Sequence, residues 1–291
     1  MKSKSAPYII LFFAVFFLST SAIFVKIASA PASITAFYRL LFTALALLPF
    51  LIFKRENREE LKRLTGKQWK LGVLSGFLLA VHYVLWFESL NYTSVASSTV
   101  IVCLQPLFAL IGGFFIFREK YSKLALSGCL IAIFGSAVIG WGDFQVSDAA
   151  LIGDIMALVA AAIIAGYFMV GQYVRKALTV IPYSVLSFGS GALFLALYSL
   201  GTGVSFTGYP SKTWGAFAGL AFMATILGQF IFTWLLKWLS ASIISMSILG
   251  EAVGTCILSY FILSERITLQ QGTGILIILA GLGLFLSQSK K

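Results

Sequence analysis

The residues that could do chemistry in this sequence are single polar side chains inside long apolar runs. Glu251 stands eleven residues into the run Ala241 to Leu263, and Gln105 stands inside the run Thr93 to Phe117. An ionised carboxylate deep in hydrocarbon needs a partner, a proton or water. Glu251 is therefore the first candidate for binding a proton or a cationic group. The alternative is a protonated glutamate that ties two helices together.

Gln105 is followed by Pro106, which removes one helical hydrogen bond and predicts a kink beside a polar side chain. A kinked polar midpoint suits a binding cavity, and an interhelical hydrogen bond without a ligand is the alternative. Glu251 is instead followed by Ala252. The sequence therefore predicts that the two runs bend unequally and that Pro106 marks the moving joint.

A second candidate group lies in the third apolar run. His82 and Trp86 are four residues apart, hence on one helix face, and Tyr83 is adjacent. Histidine titrates in the pH range of a proton-coupled cycle, and the two larger rings could form a wall for an apolar or cationic substrate. A hydrogen-bonded packing residue is the other interpretation of His82. Gln229 lies at a comparable depth in the eighth run.

Three charged residues stand near the ends of their runs. Lys26 can extend its ammonium to the membrane surface. Arg39 lies deeper, about a turn and a half into its run, and needs an acceptor. Glu88 is the predicted acceptor in at least one state, with Asp154 as the next candidate. An outer gate pair and a static anchor are both open interpretations.

The composition indicates that this chain is embedded in a lipid bilayer. Of its 291 residues 59% are hydrophobic and 11% are charged, which is too much apolar surface for one soluble core. The three cysteines lie inside apolar runs, where packing is their expected role. A net charge of +11 sits mainly in the joints, so it indicates membrane topology and not a nucleic-acid partner.

The apolar runs are long enough to cross ~30 Å of hydrocarbon as helices and too long for barrel strands. They predict an all-α integral membrane protein with ten transmembrane helices. The runs are Tyr8–Ala28, Ala32–Phe53, Trp69–Leu90, Thr93–Phe117, Leu124–Trp141, Ala150–Val174, Pro182–Leu200, Trp214–Leu236, Ala241–Leu263 and Thr268–Leu286. With the N-terminus inside, 17 of the 21 basic residues fall on the cytoplasmic side, so both termini are predicted to be cytoplasmic.

The chain repeats itself at an offset of 146 residues. Glu119 then meets Glu265, Gly128 meets Gly274 and Gly135 meets Gly281, besides several apolar matches. The predicted units are a five-helix repeat over 1–141, an outer joint over 142–149 and a second repeat over 150–291. An odd number of helices per unit inverts the second, and inverted repeats favour alternating access to a shared midplane site.

Two stretches carry a family resemblance: ASSTVIVCLQPLFALIGGFFIFREKYS with SGCLIAIFGS, and SIISMSILGEAVGTCILSYFILSERITLQQGTGILIILAG. The chain resembles the drug/metabolite transporter superfamily, specifically its ten-helix EamA-type members built of two five-helix repeats. The likeness covers about Tyr8 to Leu286. The first half lacks the acid before proline and the second lacks the proline, which argues against a symmetric role for the pair. The resemblance implies export of small metabolites across the cell membrane, often coupled to protons.

We therefore expect a secondary active transporter in the cell membrane that exports a small amino-acid-like, aromatic or drug-like metabolite, with Glu251 or His82 exchanging protons. Uptake or facilitated diffusion of an organic cation is the alternative, and a non-transporting scaffold is a weaker one. The sequence contains no catalytic constellation, metal motif or cofactor motif. Expected partners are a small-molecule substrate, protons and the bilayer, for a monomer or homodimer. The basic joint 54–70 predicts a surface helix that touches anionic headgroups.

Overall fold

The computed structural model describes residues 6–89, 91–93, 98, 101–140, 148–263 and 268–288, and every regular element within these ranges is helical. The acid Glu265 and the basic residues of both termini lie outside them. A short surface helix covers Arg55–Lys62. The apolar helices are α1 Ala6–Ala28, α2 Ala32–Phe53, α3 Gly66–Ser89, α4 Gln105–Phe117, α5 Lys123–Gly140, α6 Asp148–Val174, α7 Val180–Gly201, α8 Ser211–Leu235, α9 Ala241–Ile262 and α10 Leu269–Gln288.

Eight apolar helices in the described part of the chain are long enough to cross a membrane, namely α1 to α3 and α6 to α10. Helices α4 and α5 are apolar but shorter. The run bounds read from the sequence agree closely with the helices, since α2 begins and ends at the predicted residues, Ala32 and Phe53. In hydrocarbon, a helix satisfies the backbone hydrogen bonds of such an apolar run within the run itself.

Two of the helices change their hydrogen bonding near the middle. Helix α1 is interrupted where the Ser19 hydroxyl donates to the Val15 carbonyl (2.9 Å) and the Thr20 hydroxyl donates to the Phe17 carbonyl (2.7 Å). Such hydroxyls compete with the backbone for helical acceptors. Helix α8 has π-helical hydrogen bonds over Leu220–Phe230. Irregular turns of this kind occur frequently at functional sites.

The apolar runs that contain α4 and α9 are interrupted at matching places. A turn at Cys103–Leu104 precedes α4, and a turn at Leu249 divides α9, while the repeat offset of 146 pairs Cys103 with Leu249. Pro106 lies in the first turn of α4, where its missing N–H has no helical acceptor in any case. The α9 turn forms beside Gly250 and without any proline. An interruption at this place therefore does not require proline, and unequal bending with a moving joint at Pro106 stays a prediction.

The buried apolar side chains form two main clusters. The larger one draws on α1, α2, α3, α6, α7 and α8 and on the first turn of α9, and we call it the six-helix region. The other draws on α4, α5, α9 and α10, and we call it the four-helix region. The polar residues singled out in the sequence lie on helices of both regions, so the site is examined below at the boundary between them.

Close glycine contacts join α5 to α10. A Cβ added to Gly128 would lie 2.8 Å from the Gly281 carbonyl, and one added to Gly281 would lie 2.6 Å from the Gly128 carbonyl. Gly135 and Gly274 have the same reciprocal relation, at 2.9 and 2.7 Å. Because the repeat pairs Gly128 with Gly274 and Gly135 with Gly281, the contacts follow the pattern of a two-fold axis. These two helices are therefore antiparallel, as inversion requires.

Candidate functional site

Arg39 of α2 is the most deeply buried cation of the candidate set, with 2% of its side chain exposed. Its Nε donates to the Thr225 hydroxyl of α8 (2.8 Å), and its Nη1 donates to the Ser21 hydroxyl of α1 (3.0 Å). The guanidinium carbon lies 4.9 Å from the centre of the Tyr83 ring. Both hydroxyls belong to interrupted or π-helical segments. Irregular backbone therefore positions the groups that hold this charge.

Glu251 lies in the first turn of the second part of α9, directly after the interruption at Leu249. A carboxylate in that position faces the positive end of a helical segment, which stabilises its negative charge. Arg39 and Glu251 lie on helices that both contact the interruption of α1, because Nη1 of Arg39 donates to Ser21 and Gly254, three residues after Glu251, packs against Ser19. The Glu251 side chain is partly exposed, whereas Arg39 is buried.

The glycines next to Glu251 make room for a neighbouring helix. A Cβ on Gly254 would overlap the Ser19 hydroxyl of α1, and one on Gly250 would lie 3.2 Å from the Val15 side chain. The Thr255 hydroxyl donates to the Ser19 carbonyl (3.2 Å). The interruption of α1 therefore packs against the interruption of α9.

Aromatic rings line the α3 side of the site. The rings of His82 and Trp86 stack with centroids 5.8 Å apart, and the ring of Tyr83 lies 5.3 Å from that of His82. Nδ1 of His82 lies 3.0 Å from the Ala160 carbonyl of α6, and since a carbonyl only accepts, this nitrogen carries a proton. The predicted grouping of the three residues is present. The buried, hydrogen-bonded histidine matches its packing interpretation.

The two predicted glutamines differ in their hydrogen bonding. The amide of Gln105 donates to the Ser245 hydroxyl of α9 (2.9 Å), so it ties α4 to α9. Gln229 lies in the π-helical part of α8, is 4% exposed, and its Nε2 has no hydrogen-bond partner among the described residues. A buried amide without an acceptor is unfavourable unless a ligand or water supplies one. Gln229 is therefore the better candidate of the two for contacting a substrate.

The predicted outer charge pair is not formed in this conformation. Glu88 accepts a hydrogen bond from the Asn91 amide (2.9 Å), while Arg39 bonds to the hydroxyls described above. Lys26 is exposed on α1. Contact between Arg39 and Glu88 in another state stays a prediction. The partners Ser21 and Thr225 were missed because isolated hydroxyls in apolar runs are too common to stand out.

A second polar network, which the sequence reading also missed, joins helix ends from both regions at one end of the molecule. The Glu119 carboxylate accepts hydrogen bonds from the Gln172 amide (2.9 Å), the Tyr121 hydroxyl (2.7 Å) and the Ser242 hydroxyl (3.1 Å). Gln172 in turn accepts from the backbone N–H of Ala241 (2.6 Å). These residues join the ends of α4 and α6 to the start of α9. We call this group the Glu119 latch.

Two features keep the latch together. Burial, together with the Glu119 carboxylate, raises the pKa of Tyr121 above its ordinary value, although the bond with Ser242 opposes the shift. The phenol therefore stays a donor at physiological pH. Gly113 faces the network, because a Cβ there would overlap the Tyr121 hydroxyl. The acid-then-base step Glu119-Lys120 was the signal available in the sequence, and there it indicated only the repeat.

The matches with known proteins agree with this architecture. The sequence profile of the EamA-like transporter family matches the chain twice, over residues 5–141 and 151–287. The chain belongs to the EamA-like transporter family. As an EamA-like transporter with many apolar helices it is an all-helical, multi-pass membrane protein, and the resemblance seen in the sequence is confirmed.

Several relatives of this EamA-like transporter are themselves named as transporters. Uncharacterized transporter YyaM of Bacillus subtilis (strain 168) is 27% identical over 258 residues, which cover 87% of this chain and 83% of the relative. Uncharacterized transporter YxxF of the same organism is 26% identical over 213 residues, 72% of this chain and 68% of the relative. A crystal structure with 16% identity superposes with a TM-score of 0.83 over 98% of this chain and 99% of the other, which shows the fold alone.

Proposed function

We propose that this EamA-like transporter is a secondary active transporter that exports a small amino-acid-like metabolite across the cell membrane by alternating access, coupled to protons. In this proposal all ten apolar helices cross the bilayer, the two halves are inverted and both termini are cytoplasmic. The antiparallel, reciprocal contact between α5 and α10 supports the inversion. The excess of basic residues on one side supports the orientation.

The observation that carries the proposal is the pair of opposite charges at the boundary of the two regions. Arg39 lies on α2 of the six-helix region and Glu251 on the part of α9 that belongs to the four-helix region, and both helices contact the interruption of α1. A zwitterion with a carboxylate and an ammonium group satisfies both at once. The rings of Tyr83 and Trp86 and the unpartnered amide of Gln229 supply contacts for the rest of such a molecule.

The same geometry couples transport to protons. An ionised Glu251 holds the substrate ammonium, and a proton arriving on that carboxylate removes the attraction. Substrate and proton therefore compete for the Glu251 carboxylate, so the transporter carries the substrate in one direction and the proton in the other. Because protons move inward down their gradient, this exchange drives the substrate outward. In this scheme Glu251 is the coupling residue. When the transporter returns without substrate, Glu251 is protonated and Arg39 keeps its positive charge.

Alternating access needs an end that closes, and the Glu119 latch supplies the inner one. It lies where the orientation places the cytoplasm, and it joins α6 of the six-helix region to α4 and α9 of the four-helix region. Rocking of one region against the other breaks these bonds before the site opens inward. The conformation described here is closed at that end.

Facilitated diffusion of an organic cation is the competing function. The aromatic wall of Tyr83 and Trp86 suits a cation. The buried guanidinium of Arg39 lies over the Tyr83 ring, however, and would repel a cation from the same space. The charge pair therefore favours a zwitterion.

Uptake driven by a pH gradient in proteoliposomes tests the proposal. For this driven-uptake arm the vesicles contain acidic buffer without amino acids and are diluted into alkaline medium that contains isotope-labelled amino acids, so that only the pH gradient can drive accumulation. Labelled zwitterions should accumulate in the acidic lumen, and a protonophore should abolish this accumulation. Accumulation that ignores the pH gradient, or that is confined to organic cations, would contradict the proposed function.

A further inference from the structure

A small cavity lies at the latch end of the molecule, between the start of α3 and the end of α6. Its volume is about 370 Å³. Two lysines, a phenol and an amide stand beside apolar groups in its lining. The lining residues are Thr65, Lys67, Gln68, Leu71, Tyr173, Val174, Lys176 and Ala177.

The polar side of this cavity is cationic. The Lys67 ammonium donates to the Tyr173 hydroxyl (3.0 Å), and the Lys176 ammonium lies 5.5 Å from the Phe117 ring. No carboxylate is present in its lining, so neither lysine is neutralised from within it. A larger neighbouring cavity of about 690 Å³ contains both Arg55 and Glu56 in its lining and offers no such single-sign surface. The smaller cavity is therefore suited to an anion.

The cavity lining also contains an apolar wall. Leu71 and Val174 form part of this wall. Tyr173 is 49% exposed and Trp69, two residues from Lys67, is 42% exposed. Tyrosine and tryptophan concentrate at the boundary between hydrocarbon and headgroups. An anion that also carries hydrocarbon chains fits both sides of the cavity at once.

We propose that this cavity binds the headgroup phosphate of an anionic phospholipid in the cytoplasmic leaflet. Lys67 and Lys176 hold the phosphate, and the Tyr173 hydroxyl donates to it when Lys67 turns from the phenol to the lipid. The proposal uses the orientation given under the proposed function, which places this end where anionic lipids are concentrated. It does not depend on what the central site transports.

Lipid at this place bears on the inner gate. Tyr173 directly follows Gln172, a member of the Glu119 latch, and Phe117 precedes Glu119 by two residues. A headgroup held between Lys67 and Lys176 therefore joins the start of α3 to the end of α6, next to the latch bonds. Bound lipid favours the conformation that is closed on the cytoplasmic side.

Native mass spectrometry of the full-length protein in detergent tests this site directly. Phosphatidylglycerol and phosphatidylcholine with identical acyl chains are titrated against three proteins: the parent, Lys67→Gln/Lys176→Gln, and the matched control Lys70→Gln/Lys237→Gln. The control loses the same charge at the same end, and neither of its residues lines the cavity. The cavity variant should bind phosphatidylglycerol about 25-fold more weakly than the control, roughly fivefold for each lysine.

Equal binding of phosphatidylglycerol by the cavity variant and the control would overturn the proposal. Inorganic phosphate, tested separately by thermal shift, should stabilise none of the three proteins, because it cannot use the apolar wall. If phosphate stabilised the parent alone, and the parent showed no preference for phosphatidylglycerol, the cavity would be a site for a free anion. This result would also overturn the lipid proposal. Binding is read without transport, so failure here leaves the proposed transport function untouched.

Discussion

Helices α4 and α9 are counterparts in the two halves, with similar backbones and different chemistry. Both are interrupted at places that the repeat offset aligns, Cys103–Leu104 and Leu249. The side chains that follow diverge, because Gln105 is held by Ser245 while Glu251 lies on a helix that contacts the interruption of α1. Each half therefore contains a helical interruption at the same place in the repeat. At the aligned positions Gln105 and Glu251, only the second half carries a titratable side chain.

Helices α3 and α8 show the same contrast in another form. The offset pairs Tyr83 with Gln229. Tyr83 stands in a regular α-helix and packs under Arg39, whereas Gln229 stands in a π-helical segment with its amide unpartnered. Each half thus contributes a different kind of contact to the proposed site. A site that recognises two unlike ends of one molecule needs this asymmetry.

The largest expected effect comes from removing the asymmetry at Glu251. Glu251→Gln should leave the protein inserted and folded, because glutamine keeps the shape and hydrogen-bonding capacity without the titratable proton. Gradient-driven accumulation in proteoliposomes should fall at least about tenfold, towards the level of empty vesicles, since no other acid takes over the coupling. Exchange of substrate without a gradient should persist.

A charge swap sharpens this test. The double variant Gln105→Glu/Glu251→Gln moves the acid to the counterpart helix and keeps the total charge. It should not restore driven transport, because Gln105 is buried against Ser245 and not placed towards Arg39. Driven transport by the swapped protein would show that the halves are interchangeable at the midplane and would contradict the asymmetric site.

The next effect concerns the partner of Arg39. Arg39→Gln should lower the melting temperature, because Glu251 is left without its opposite charge in the membrane. The double variant Arg39→Gln/Glu251→Gln should be more stable than the sum of the single changes predicts, by a coupling free energy on the order of 1 kcal/mol. A parallel cycle with Glu88→Gln is the control. Coupling to Glu88 and strict additivity with Glu251 would assign Arg39 to the outer gate pair instead.

Substitutions in the Glu119 latch should have a smaller effect than those at Glu251 and Arg39. Glu119→Gln turns one of two accepting oxygens into a donor that faces another donor, and a hydrogen bond to a charged group contributes about 1.5 to 3 kcal/mol. The population open to the cytoplasm should rise by about tenfold. Labelling of an Ala109→Cys variant, in a background without native cysteines, by an impermeant maleimide applied from inside reports this change. Glu56→Gln removes the same charge from an exposed position and should leave labelling unchanged, and equal labelling of both would exclude a gating role for Glu119.

The sequence predicts the helices of this protein far better than their contacts. Ala32 and Phe53 bound α2 because run length and composition decide where a membrane helix begins and ends. The rotation of that helix is not encoded in its length, so the partners of Arg39 could not be derived. Opposite charge suggested Glu88, whereas the structure supplies neutral hydroxyls from interrupted helices. Those interruptions have weak sequence signals, since one forms beside Gly250 without proline.

The smallest expected effect is that of Pro106→Ala. The sequence alone made this proline the moving joint of the first half, but α9 is interrupted at the matching place with Ala252 and no proline. Pro106 stands in the first turn of α4, where proline is compatible with a helix start. Replacing it should therefore change cysteine accessibility from either side by less than about threefold, corresponding to under about 1 kcal/mol. A shift as large as that of Glu119→Gln would return Pro106 to the role of a hinge and would separate the two interruptions in mechanism, despite their matching positions.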